Sequence, residues 1–142
     1  MIQNEREYRI TRSQAEKFAQ ALEDFEAKGG DPLAELQKSA LASQLEELQE
    51  QQAEYDALKS GDLWEIAVNS FDDLPLALVR ARIALGLSQK ELAERLGLKE
   101  QQIQRYESSA YAGASLHWLQ NVSGALGLRI TGALHLLQPV RR

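Results

Sequence analysis

Residues 88–107, SQKELAERLGLKEQQIQRYE, constrain this chain more than any other stretch. Ser88 and Glu91 have the spacing of a capping box, in which each side chain accepts an otherwise unpaired N–H. The helix they open, QKELAERL, turns Leu92, Ala93 and Leu96 inward. Gly97 follows, where the chain needs a left-handed conformation for a sharp turn. After a short turn, EQQIQRYE forms a second helix with Ile103 and Tyr106 toward the core. Two short helices joined by a Gly-containing turn are a helix-turn-helix arrangement. Ala93 is small where the second helix must cross closely over the first, and Leu92, Leu96, Leu98 and Ile103 fill the wedge. Glu100, Gln101, Gln104 and Arg105 are left together on the outer face of the second helix.

The run strongly resembles the Cro/repressor-type (XRE-type) helix-turn-helix domain. Gln89, Leu92, Ala93, Leu96, Gly97, Ile103 and Glu107 meet the family pattern in register. The resemblance covers roughly residues 74–128, where ASLHWLQNVSGALGL looks like the family's fourth helix with Ser115 as its N-cap. It implies that Glu100, Gln101, Gln104 and Arg105 read bases and that Gln89 meets the DNA backbone. Lys99 stands where the family usually has Ser or Thr. The chemistry agrees: Gln pairs bidentately with adenine, Arg with guanine, and Glu accepts from cytosine N4. Lys90, Lys99, Arg82 and Gln102 are further phosphate candidates, Gln102 pointing toward phosphate or the turn. Ahead of this unit, Ser70 and Asp73 are placed to cap a helix through LPLALVRARIAL, with Leu76, Val79, Ile83 and Leu87 on its core side.

The first half reads differently. Thr11 and Gln14 fit a capping box, with Ile10 and Ala15 as its staple. Ala15, Phe18, Leu22 and Phe25 then form an apolar stripe, ended by Gly29-Gly30. Asp31 and Pro32 start another helix that meets no breaker before Ser60-Gly61. Residues 32–59 predict a rod of roughly 42 Å, outrunning the first helix by about two turns. The pair reads as an antiparallel hairpin whose leftover stripe, Leu36 to Leu58, seeks a partner: a second subunit, or its own C-terminal domain. Segments 62–69, DLWEIAVN, and 128–137, LRITGALHLL, alternate with period two. They predict a two-stranded pairing within or between chains, unless both are helix extensions.

Charge divides along the same line. Residues 1–69 hold seven basic and fifteen acidic side chains, and 70–142 hold nine and six. The mildly basic half admits a polyanion, whereas the acidic half repels one. With no cysteine there is no disulfide, thiol nucleophile or thiolate metal site. His117 and His135 cannot build a metal cage alone. Trp118 and Tyr111 read as packing residues. No apolar run approaches the ~20 residues of a membrane span, and the N-terminus lacks a signal-peptide core.

The expectation is a mainly α protein. An acidic helical hairpin over 1–60 serves interaction or dimerisation. A helix-turn-helix domain over 61–142 has flanking short strands and folds by itself. It is cytoplasmic, non-enzymatic, without cofactor or metal, a homodimer, and bound to double-stranded DNA as a transcriptional regulator, chiefly a repressor. Its layout also resembles antitoxins of toxin–antitoxin pairs. The alternative is therefore an adaptor whose hairpin binds a toxin or other protein, with DNA binding secondary.

Overall fold

The computed structural model describes residues 1–28 and 30–138. Gly29 of the expected Gly-Gly turn and residues 139–142 of the expected second domain lie outside them. Two long helices, α1 (Glu5–Lys28) and α2 (Pro32–Lys59), form the hairpin. A single 3-10 turn at Phe71–Asp73 leads into α3 (Leu74–Ala84), α4 (Gln89–Leu96), α5 (Glu100–Ser108) and α6 (Leu116–Leu126).

The hairpin has the expected second helix but an earlier first one. Helix α1 begins at Glu5, so Thr11 is not a cap; it is buried within the helix, and Ile10 is exposed and forms no staple. The working cap is Asn4, whose Oδ1 accepts the Glu7 N–H at 2.9 Å, while Glu7 accepts the Gln3 N–H at 2.8 Å. Thr11 has a capping residue's chemistry but sits on the inward stripe. That stripe runs Asn4, Tyr8, Thr11, Ala15, Phe18, Leu22, Phe25, alternating four- and three-residue steps. Helix α2 turns in Ala34, Lys38, Leu41, Leu45, Leu48, Gln52 and Tyr55 at the same steps. This is the heptad spacing of a coiled-coil seam. Gln52 continues the seam, and Lys38 closes its far end by pairing with Glu26 at 3.7 Å. With 24 and 28 residues, α1 and α2 nearly match, so the expected two-turn overhang is absent. Asp31 caps α2 as expected, accepting the Ala34 N–H at 2.8 Å.

Helix α3 is the hub. It packs on α2 and α6 and buries Leu74, Ala77, Leu78, Val79, Ala81, Arg82 and Ile83. Burial on several sides explains why a one-face reading missed Leu78 and overrated Leu76, which is half-buried. Neither Ser70 nor Asp73 caps α3 through its side chain; Asp73 accepts the Asn69 N–H instead. The core cluster joins Leu78, Val79, Leu92, Ala93, Ile103, Val122 and Leu126 with Ile2, Tyr55 and Leu58. The hairpin base and the helix-turn-helix unit thus share one interior.

The expected strand pairing does not form within the chain. Residues 62–69 and 128–136 have no secondary structure, and no strand occurs among the described residues. Both segments border one cleft of about 560 Å3 together with α3.

Candidate nucleic-acid interface

The helix-turn-helix geometry follows the local chemistry. Ser88 Oγ accepts the Glu91 N–H at 3.0 Å and Glu91 accepts the Ser88 N–H at 3.1 Å, fixing the start of α4. Gly97 takes φ 69°, and the Leu98 N–H returns to the Ala93 carbonyl at 2.8 Å, which closes the turn. Leu92, Ala93 and Ile103 are buried and Leu96 and Leu98 half-buried, forming the wedge between α4 and α5.

Lys99 has no side-chain acceptor, so α5 is capped from inside. The Gln102 Oε1 accepts the Lys99 N–H at 2.9 Å. Gln102 therefore serves the turn, one of its two expected roles, through its amide oxygen. On the outer face, Glu100, Gln101 and Arg105 are exposed and Gln104 is half-buried. They occupy two adjacent turns, as major-groove readout requires. Lys90 and Lys99 are also exposed, at the first turn of α4 and just before α5.

Two expected phosphate contacts lie inside the protein. Arg82 is only 3% exposed. Its Nε and Nη2 grip the Glu107 carboxylate at 2.7 and 2.8 Å, while Nη1 and Nη2 donate to the Leu87 and Gln3 carbonyls. Four of its five N–H donors are therefore engaged inside the protein. The Gln89 side chain is also buried, donating to Glu107 at 2.8 Å and accepting from Asn4 at 3.1 Å. The Arg82–Glu107 pair is a bidentate, charge-assisted contact, and Gln89 adds a third bond to the same carboxylate. It ties α3, α4 and α5 to the N-terminal residues, and Gln3 adds a bond to the Glu107 carbonyl at 2.8 Å. The motif marked Glu107, but nothing in the spacing marked Arg82 as its partner.

The pattern also leaves out the first turn of α1, which borders the outer face of α5. Asn4, Glu5, Arg6 and Glu7 share a cleft of about 530 Å3 with Glu100 and Gln104. Only the Asn4–Glu7 spacing, itself a capping signature, hints at an ordered start there. Glu5 and Glu7 place negative charge beside the face, against a phosphate approaching from that side.

Behind α5, Tyr106 stacks on Tyr111 and meets Trp118 at a tilt, with ring centroids at 5.8 and 5.3 Å. Burial raises the Tyr111 hydroxyl well above its ordinary pKa. His117 and His135 are exposed, and among the described residues no cluster of His and acidic side chains suited to a metal occurs. No helix of the described residues is long and apolar enough to cross a membrane.

The family model described as "Helix-turn-helix" matches residues 78–132. No curated protein and no solved structure matches the chain. The capped α4, the left-handed Gly97 and the exposed face of α5 lie within that match. Over residues 78–132 the chain is thus similar to the helix-turn-helix family.

Proposed function

We propose that this protein is a sequence-specific transcriptional regulator, chiefly a repressor, that reads the major groove with α5. The observation carrying the reading is the grouping of Glu100, Gln101, Gln104 and Arg105 on the outer face of α5, free of the wedge beneath. Gln101 and Arg105 supply the bidentate groups for adenine and guanine, and Glu100 an acceptor for cytosine. Lys90 and Lys99 meet flanking phosphates. A homodimer would place two such helices on a two-fold site, with half-sites about one helical turn apart.

Operator sequences selected from random duplex DNA provide the test. Gln101→Ala or Arg105→Ala is expected to weaken operator binding by roughly 1–3 kcal/mol per lost base contact, with little change on scrambled DNA. Lys90→Ala should weaken both together and flatten the salt dependence. Parent-like operator binding by both α5 variants would show that another surface reads the DNA.

A second reading makes the hairpin an adaptor for a toxin or another protein. It is favoured by Leu33 and Leu36, which are 63% and 67% exposed at the hairpin's far end. Co-expression with the product of a neighbouring small basic reading frame tests it. Stable co-purification that Leu33→Ser with Leu36→Ser abolishes would support the adaptor.

A further inference from the structure

Two segments of this chain have the pattern of strands and lack the bonds of strands. In residues 62–69, Trp64, Ile66 and Val68 share one parity; in 128–136, Leu128, Ile130, Leu134 and Leu136 share another. Ile66 and Leu128 pack against the core cluster. Those two residues aim their faces at the domain. The same faces then run on uncovered, with Trp64 97% and Leu134 94% exposed and Leu136 and Ile130 also exposed. Isolated exposed apolar residues are ordinary, but a run at strand period is not.

The backbone repeats the pattern. Among the described residues, no backbone–backbone hydrogen bond reaches 62–69 or 129–136. Such edges template pairing with another chain. The cleft between 68–74, α6 and 128–134 measures about 640 Å3 and is lined by Val68, Phe71, Leu116, Leu119 and Ile130.

Charge selects the occupant. Residues 62–69 carry Asp62 and Glu65 and no basic side chain, whereas 128–138 carry Arg129 and no acidic one. Pairing 62–69 with its own copy gathers four carboxylates into one ladder, and opposite charges across strands are the favourable arrangement. Each chain holds both complementary halves, as a closed two-fold interface requires.

We propose that a second copy of this chain covers this face, with residues 62–69 of one protomer pairing with 128–136 of the other. Trp64 and Leu134 are then buried at the centre of the interface, and Glu65 and Arg129 lie on neighbouring strands of different protomers. This goes beyond the regulator reading and does not rest on it, because the interface is built away from α5.

The absence of cysteine makes the test direct. Glu65→Cys and Arg129→Cys chains are prepared separately, exchanged by co-refolding and treated with a short bismaleimide. A covalent dimer is expected from the mixture in clear excess over either variant alone. Equal or greater yield from one variant alone would overturn crosswise pairing. Sedimentation of the parent at micromolar concentration should give a dimer mass. Trp64→Ser with Leu134→Ser should raise the dimer Kd roughly tenfold or more, with helical circular dichroism unchanged because both positions are exposed. Leu33→Ser with Leu36→Ser at the hairpin end should leave the dimer intact. A monomeric parent overturns the proposal, as does a dimer lost only with the leucine pair. DNA binding is measured separately, so failure of the interface and failure of the α5 reading are distinguishable.

Discussion

The helix-turn-helix core and the hairpin are both helical, yet different forces hold them. In the core, Leu92, Ile103 and Val122 are fully buried, and a buried ion pair joins α3 to α5, with Gln89 of α4 bonded to the same carboxylate. In the hairpin, the seam residues from Phe18 to Phe25 are only half-buried, and the ends are fixed by exposed pairs such as Lys38–Glu26. Exposed pairs are worth little, so the far end of the hairpin rests on a thin apolar seam. At its base the hairpin borrows the core's interior. Tyr8 stacks on Tyr55 at 5.1 Å, Arg80 meets Glu54 at 2.8 Å, and Ile2 and Leu58 join the cluster. One polypeptide thus grades from a shared, closely packed base to a solvated rod.

The largest break in this contrast is expected at the buried pair. Glu107→Gln leaves the Arg82 charge uncompensated in the interior and should cost about 3–5 kcal/mol, measured by urea unfolding followed by circular dichroism. A loss under ~1 kcal/mol would show that water enters the pair and that the core is looser than described.

Truncating Ile2 tests whether the base belongs to the core. Ile2→Ala should cost about 2–4 kcal/mol, whereas Leu36→Ala on the exposed rod should stay within about 0.5 kcal/mol. Equal effects would erase the gradient. The same contact bears on the expectation that residues 61–142 fold alone. That fragment would expose the surface now covered by Ile2, Tyr55 and Leu58.

The smallest effect is alkaline. Burial, then the Glu5 carboxylate that accepts its hydrogen bond at 3.0 Å, pushes the Tyr55 hydroxyl up to about 12. The folded state therefore holds this proton more tightly than the unfolded chain, whose tyrosines titrate near ~10. The contribution is complete below pH ~10 and is lost as pH rises toward the folded value. Tyr55→Phe should make the fall in urea midpoint over that window shallower. Some fall remains, because Tyr111 and Tyr8 are raised as well. An unchanged slope would mean Tyr55 does not sense the hairpin base.

Much of this was legible before any coordinates. Ser88, Glu91, Gly97, Asp31 and Ser115 act within a few residues of themselves, and each does what its type and spacing require. The wedge residues and the exposed α5 face follow from helical periodicity. Thr11 shows the limit: its side chain suits a cap, but only the opposing helix makes it a seam position. Arg82 and Gln89 show it again. A cation and an amide beside a DNA-reading unit suggest phosphate contacts. Glu107, 25 and 18 residues away, draws both inward.

The sequence alone therefore determined the helix boundaries that carry their own caps, the helix-turn-helix register and the charge division between halves. These depend on interactions closed within a turn or two of chain. Tertiary structure decided which polar groups are buried, how the first four residues lock the domain, and that segments 62–69 and 128–136 lie unpaired within one chain. Burial and strand pairing depend on what approaches from a distant part of the sequence, and no local spacing encodes that approach.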